Sequence, residues 1–323
     1  MKVLFIGFKD LVHPWYDDFL EALGTAHSVK LYNPNSSLLP QFQGVDVVVD
    51  QGGWGTREMI DAAVSSSAKL WQVIGTGLDH LDVSYIIGKK LPLANTPGIF
   101  SGVALAEHVI FFMLYFAKNF EVSSQNIRSG VFYHPMNDEL HGKTLGLVGF
   151  GGSAKELAKR AWLLGMRILA MDVVELPRDL QSEYHLDFFG SPKDLDKLLT
   201  ESDYLSVHIP LTPNTQSLIG RECFSRMKPT AVFINVARGE IVDEPALIEA
   251  LKTGKIRGAG LDVFAQEPLN PKHPLLYMEN VIATPHLAGA TRGTSRRRGK
   301  AAADNIFRVE QGLQPLYLVT SAE

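Results

Sequence analysis

The stretch Gly149-Phe150-Gly151-Gly152-Ser153-Ala154 constrains this chain more than any other. It comes after an apolar run, Leu145 to Phe150, and opens a helix-forming one, Lys155 to Leu164. A strand that turns on glycines straight into a helix is the start of a nucleotide-binding βαβ unit. Gly149 can make the tight turn, Gly151 lets the backbone approach a pyrophosphate, and the small Ala154 lets helix and strand pack closely. The amides at the helix start then face the anion. An ordinary βα loop can carry the same glycines, so the residues beyond the loop have to decide. Asp172 ends the next strand-like run at about the 20-residue spacing of the acid that binds the adenine ribose hydroxyls. A carboxylate there repels the extra phosphate of NADP, and Val173 and Val174 bring no cation, so NAD is expected. The other reading of Asp172 is a residue that only caps a turn.

Around this loop, short apolar runs alternate with amphipathic ones, the pattern of strands and helices stacked on parallel sheets. Before residue 100 the strand candidates are Lys2 to Ile6, Asp46 to Val49, Leu70 to Ile74 and Leu91 to Ala94; Trp15 to Leu23, Arg57 to Ser65 and Val83 to Lys89 read as helices. Pro97-Gly98 breaks the pattern, and a long apolar helix starts near Ser101, a plausible N-cap. Beyond it, Leu145 to Phe150, Arg167 to Met171, Tyr204 to Ile209, Ala231 to Val236, Gly258 to Val263 and Val281 to Ala283 read as strands. A final helix, about Thr294 to Glu310, can return to the first domain. The expected architecture is α/β: two Rossmann-like or flavodoxin-like parallel-sheet domains with a cleft between them. Residues 1-99 with 288-323 form the first domain, discontinuous in sequence, and 100-287 form the nucleotide-binding one.

A chain of 323 residues with 46% hydrophobic and 20% charged residues can fill two such cores. Its net charge of −4 offers no basic excess for a phosphate backbone, so no nucleic-acid partner is expected. The single cysteine, Cys223, excludes an intrachain disulfide and a thiolate zinc cage, and no metal is expected. A reducing, cytoplasmic location fits. The longest apolar stretch, Val109 to Ala117, is too short to cross a bilayer, and no membrane partner is expected.

Polar residues come directly after three of the later strands, where ligands of open parallel sheets collect. Arg238, in Val236-Ala237-Arg238-Gly239, carries a planar fork that can grip a carboxylate, although a surface arginine ahead of a helix near Asp243 reads the same way. Reduction of a ketone needs a hydride, a proton for the oxygen and an anchor for any substrate acid. His286, in Ala283-Thr284-Pro285-His286, is the candidate proton carrier. Glu267 is the candidate carboxylate to orient its ring and favour its charged form. Among ten histidines, its placement at a strand end before Gly289 singles out His286.

With these motifs in place, the chain resembles the D-isomer-specific 2-hydroxyacid dehydrogenases over nearly its whole length. The resemblance rests on Gly142-Lys143-Thr144-Leu145-Gly146, the glycine loop, Val236-Ala237-Arg238-Gly239, Leu261-Asp262-Val263-Phe264, Gln266-Glu267-Pro268 and Pro285-His286-Leu287. Upstream it includes Gly75-Thr76-Gly77-Leu78-Asp79-His80-Leu81-Asp82 and Asn95-Thr96-Pro97-Gly98. It implies an NAD-dependent enzyme that interconverts a 2-oxo acid and a D-2-hydroxy acid, with Arg238, Glu267 and His286 as the catalytic set. Cofactor contacts are implied at Gly149, Gly151, Gly152, Ser153, Asp172, Val236, Ala237 and Asp262, the last to the nicotinamide carboxamide. Substrate contacts are implied at Thr76, Gly77 and Arg238. The helix from Ser101 is the implied homodimer element, and hinges are implied near Pro97-Gly98 and Leu287-Ala288-Gly289.

Some residues depart from that family pattern. Gly152-Ser153 stands where Arg-Ile is usual, so a side-chain contact to the pyrophosphate is missing. The expected substrate loop, Asp50-Gln51-Gly52-Gly53-Trp54, has no Lys or Arg to meet a phosphate, which disfavours a phosphorylated substrate. Trp54 either shapes an apolar wall or anchors the loop. Three other readings share the fold: an NAD-sensing corepressor, a formate dehydrogenase and an NADP-linked glyoxylate or hydroxypyruvate reductase. The Arg-Glu-His set opposes the first, Glu267 in place of a Gln the second, and Asp172 the third.

Overall fold

In the computed structural model, which describes residues 1–8 and 11–321, the apolar runs form two parallel sheets. The chain divides into two compact units, Met1–Phe100 with Ala290–Glu323, and Ser101–Gly289. The first unit holds β1 (Lys2–Ile6), β2 (Ser28–Leu31), β3 (Val47–Asp50), β4 (Leu70–Val73) and β5 (Leu93–Ala94), in the order β2-β1-β3-β4-β5. This is the flavodoxin-like order. β3 and β4 are buried at every residue, as strands covered by helices on both faces must be. The alternating side chains of β1, β3 and β4 build two cores: Leu4, Ile6, Val48, Trp71 and Val73 on one face, and Val3, Phe5, Val47, Val49 and Leu70 on the other. The C-terminal helix Arg292–Glu310 closes the second face with Ala302, Ala303 and Ile306, beside Phe19 and Leu23 of helix Trp15–Leu23.

The second unit holds β6 (Thr144–Val148), β7 (Arg167–Met171), β8 (Phe188–Gly190), β9 (Tyr204–Val207), β10 (Val232–Asn235), β11 (Gly258–Leu261) and β12 (Val281–Ala283). Their order, β12-β11-β10-β9-β6-β7-β8, is that of a Rossmann sheet with one added strand, and its direction reverses beside β6. β2 and β8 go beyond the strands expected from sequence. Both lie at sheet edges: β2 has no buried residue, and β8, Phe188-Phe189-Gly190, is half-buried and only three residues long. Ser101 stands at the N-cap position of helix Gly102–Ala117, but its side chain makes no capping hydrogen bond. Asp243 does cap, accepting the amide of Ala246 at 3.1 Å ahead of helix Glu244–Lys252. Among the described residues no single helix is long and apolar enough to cross a membrane.

Candidate active site

Because every strand of the second sheet is parallel, the residues just past β6, β7, β9, β10, β11 and β12 gather at one edge. At β6 the chain turns at Gly149 with φ +92°, where a Cβ would lie 2.7 Å from Ile209 Cγ2 and 2.8 Å from the His208 carbonyl. Only glycine fits this turn. Gly151 faces open space instead, and it is the N-cap of helix Gly152–Leu163. The first amides of that helix have no partner among the described residues, as an anion-binding helix start requires. A cavity of about 310 Å³ adjoins the loop, lined by Gly151, Lys155, Asp172, Val174, Glu175 and Leu176 among others. Glycine turn, open amides and acid-rimmed cavity together fit a dinucleotide with free ribose hydroxyls.

Asp172 does more than rim this cavity. Its carboxylate accepts the amide of Phe150 at 2.6 Å and that of Val174 at 3.0 Å, tying the glycine loop to the end of β7. Each oxygen keeps a lone pair for a ribose hydroxyl. Val173 and Val174 are exposed and bring no charge, but Lys155, from the helix after the loop, lines the same cavity. Asp172 and Glu175 outnumber that cation.

Ser153 is occupied differently from what its position at the helix start suggests. Its hydroxyl meets His208 Nδ1 at 2.9 Å, and Ser206 meets His208 Nε2 at 2.9 Å. Burial pushes His208 down to about 4, so the ring is neutral at pH 7, although part of the residue still reaches the surface. A neutral histidine therefore braces the glycine loop against the end of β9.

The catalytic candidates come from β10, β11 and β12. After β10, the buried Asn235 accepts the Ala237 amide at 3.0 Å and donates to the Arg238 carbonyl at 2.8 Å, which shapes the turn that presents Arg238. Arg238 Nη1 donates to the Ala237 carbonyl at 2.7 Å. After β11, Glu267 Oε1 accepts the Phe264 amide at 3.0 Å and Oε2 meets His286 Nδ1 at 2.7 Å. Burial pushes the Glu267 carboxyl up. The His286 hydrogen bond and charge, the Phe264 amide and the Arg238 charge outweigh it, so the net shift is down and Glu267 is ionised at neutral pH. An ionised carboxylate can only accept, so His286 carries a proton on Nδ1 and presents Nε2 for exchange. The His286 side chain is 47% exposed, open to a reactant.

Asp262, 1% exposed, holds this arrangement from beneath. Its Oδ1 accepts the Leu287 amide at 2.9 Å and the Thr284 hydroxyl at 2.6 Å, and Oδ2 accepts the Ala288 amide at 2.8 Å.

In the first unit, the Thr76 hydroxyl donates to the Thr96 carbonyl at 3.1 Å and accepts from Arg298 Nη2 at 2.9 Å. The amides of Thr76 and Gly77 have no partner among the described residues. The loop after β3 is organised by Asp50, fully buried, which accepts the amides of Gly52, Gly53, Trp54 and Gly55 and the indole of Trp71. Trp54 stacks on His80, with ring centroids 4.2 Å apart, and meets Phe8 at 5.1 Å, so it is both anchored and part of an aromatic surface.

Asp50, Asn235, Thr284, Ser206 and His208 are not singled out by sequence reasoning. Each is a polar residue within or just past an apolar run, and nothing in a run of apolar letters tells which polar neighbour points inward. A buried polar side chain must find partners, so an Asn closing Val232-Phe233-Ile234 is the available signal.

Fold and site together define a dehydrogenase of the two-sheet, NAD-binding α/β class. Residues 110–288 match the family model for the D-isomer specific 2-hydroxyacid dehydrogenase, NAD binding domain, and the chain belongs to that family. It is 38% identical to the glyoxylate reductase of Korarchaeum cryptofilum, over 80% of this chain and 79% of that one. It is also 38% identical to the hydroxypyruvate reductase of Thermotoga maritima, over 82% and 84%. Among solved structures, D-lactate dehydrogenase with NAD+ from Lactobacillus jensenii superposes with a TM-score of 0.83 at 26% identity, covering 99% of this chain and 100% of that one. The chain is a D-2-hydroxyacid dehydrogenase, and NAD is its cofactor.

Proposed function

We propose that this enzyme reduces a small, unphosphorylated 2-oxo acid to the D-2-hydroxy acid with NADH, or runs that reaction backwards, with His286 as the acid and base. The observation that carries the reading is the 2.7 Å contact of His286 Nδ1 with the ionised Glu267, beside Arg238. Reduced nicotinamide supplies the hydride that the carbonyl carbon accepts. His286 Nε2 gives its proton to the carbonyl oxygen, and Glu267 keeps the imidazolium charged until then. Arg238 grips the substrate carboxylate and carbonyl oxygen with paired hydrogen bonds. The open amides of Thr76 and Gly77 are the carboxylate contacts we assign to the first unit. Asp262 has one lone pair left on Oδ2 for the nicotinamide carboxamide, and Val236 and Ala237 offer backbone to the same ring.

The carboxylates Asp172 and Glu175 favour NAD over NADP, since Lys155 alone does not offset them. A small substrate is supported by the names of the two 38%-identical relatives, glyoxylate reductase and hydroxypyruvate reductase. The Trp54–His80 stack adds no phosphate-binding cation to its loop. A homodimer is part of the proposal: helix Gly102–Ala117 leaves Phe111 and Leu114 exposed, and Phe120 lies just beyond it. So is a cytoplasmic site of action.

The test monitors NADH consumption against glyoxylate, hydroxypyruvate, phenylpyruvate and 3-phosphohydroxypyruvate. Turnover of the unphosphorylated acids is expected, with Arg238→Ala lowering kcat/KM by about a hundredfold or more, the scale of lost charge-assisted hydrogen bonds, while NADH still binds. Loss of NADH binding in that variant, or turnover of the phosphorylated acid alone, refutes the assignment.

A further inference from the structure

His286 has φ +53°, a left-handed conformation that a residue with a side chain adopts only when its surroundings impose it. The surroundings here converge on Asp262. The His286 amide donates to the Asp262 carbonyl at 2.8 Å, and the next two amides, of Leu287 and Ala288, go to its two carboxylate oxygens. Three successive N–H groups thus fix the turn on one residue. The aim of the imidazole depends on how firmly that carboxylate is held.

Behind Asp262 lies a histidine to which the proposed reaction gives no role. His108, on helix Gly102–Ala117, places Nε2 2.9 Å from Thr284 Oγ1 and 3.8 Å from Asp262 Oδ1. The Thr284 hydroxyl has a single proton, and the 2.6 Å contact with a carboxylate that can only accept commits it to Asp262. Thr284 can therefore only accept from His108, so His108 carries a proton on Nε2. The ring is packed edge-on against Phe112, with Phe111 also close. Burial pulls its titration down and the Asp262 charge opposes this, with a net shift down that keeps the ring neutral at pH 7. A neutral ring with its Nε2 proton fixed by geometry is a stable donor.

We propose that His108 is a positioning residue for His286, acting through the Thr284 hydroxyl and the Asp262 carboxylate to hold the catalytic turn left-handed. The inference rests on the reading of His286 as the acid and base. The ionisable groups around His286 are Glu267 on its ring and Asp262 on its backbone, with the Arg238 charge reaching Glu267 and His108 reaching Asp262. A slack turn weakens the His286–Glu267 contact, which sits at 2.7 Å when the turn is held.

The experiment compares His108→Leu, which keeps bulk and removes the donor, with His108→Gln, which restores an N–H near the same place. Two readouts are taken on the full-length protein: kcat and KM for glyoxylate, and the titration of the His286 ring by NMR without cofactor. His108→Leu is expected to lower kcat about tenfold with KM within about twofold, the scale of one buried hydrogen bond. Its His286 midpoint should move to lower pH, and His108→Gln should restore most of both. Thr284→Val should copy His108→Leu, and the double variant should lose no more than either single one. Wild-type behaviour of His108→Leu in both readouts overturns the proposal. So does an equal loss in the Leu and Gln variants that tracks their melting temperatures, which would mark His108 as core packing alone. If the wild type reduces no 2-oxo acid, the functional reading fails, and the NMR titrations still decide whether His108 is coupled to His286.

Discussion

At the scale of single residues, the proposed acid–base role of His286 comes down to which of its ring nitrogens is free. Glu267 settles this, because a carboxylate held below its usual range accepts from Nδ1 through the neutral pH range and leaves Nε2 outward. That contact also sets the sign of the pH dependence. The charge of Glu267 favours the imidazolium, so removing it lets His286 lose its proton sooner as pH rises. In the direction of oxo-acid reduction, which in the proposed mechanism needs the protonated ring, Glu267→Gln should move the alkaline limb of kcat/KM to lower pH. Activity on the acid side should fall much less, since there the ring stays protonated without help. A pH profile in which both limbs keep their wild-type positions would separate Glu267 from the proton transfer.

At the scale of elements, the site depends on how closely the turn after β10 meets the loop after β11. Gly239 makes that approach possible: a Cβ there would stand 1.8 Å from the Phe264 carbonyl carbon, which is backbone and cannot move aside as a side chain can. Gly239→Ala should destabilise the protein by about 1–3 kcal/mol, the usual cost of overpacking, and push Arg238 and Glu267 apart. Activity should therefore fall further than stability, a comparison that thermal melts and initial rates at 25 °C provide. Residue order foretells the strand ends that bear Arg238, Glu267 and His286, because buried parallel strands are continuous apolar runs and their ends are easy to see. β2 and β8 are illegible for the converse reason: β2 buries none of its residues, and the apolar pair of β8, Phe188-Phe189, is too short to stand out as a strand. The partners of Asp262 are equally hidden, since Thr284 and His108 lie far apart in sequence and meet only once helix Gly102–Ala117 has packed on the sheet.

At the scale of the whole molecule, the proposed homodimer rests on the outer side of helix Gly102–Ala117. Its inner side is accounted for, with Val109, Phe112, Met113 and Phe116 buried in the core that Leu145, Leu147, Val232 and Ile234 share. Its outer side carries Glu107 together with two large apolar side chains, Phe111 at 49% and Leu114 at 38% exposed, and Phe120 in the next helix is 59% exposed. Large apolar side chains exposed side by side, rimmed by a charged residue, mark an interaction surface. In the proposed homodimer a second copy of the chain covers these side chains through a twofold interface in which the same patch meets itself. Two aspartates, Phe111→Asp with Leu114→Asp, would then place carboxylates opposite their own symmetry mates, so attraction becomes repulsion on both sides at once. Light scattering behind size exclusion should give twice the chain mass for the wild type and the chain mass for the double variant, at about 10 µM, where a stable dimer of ordinary interface size stays associated. A wild type that elutes at its single-chain mass over that range would leave this face to some other partner and remove the dimer from the proposal.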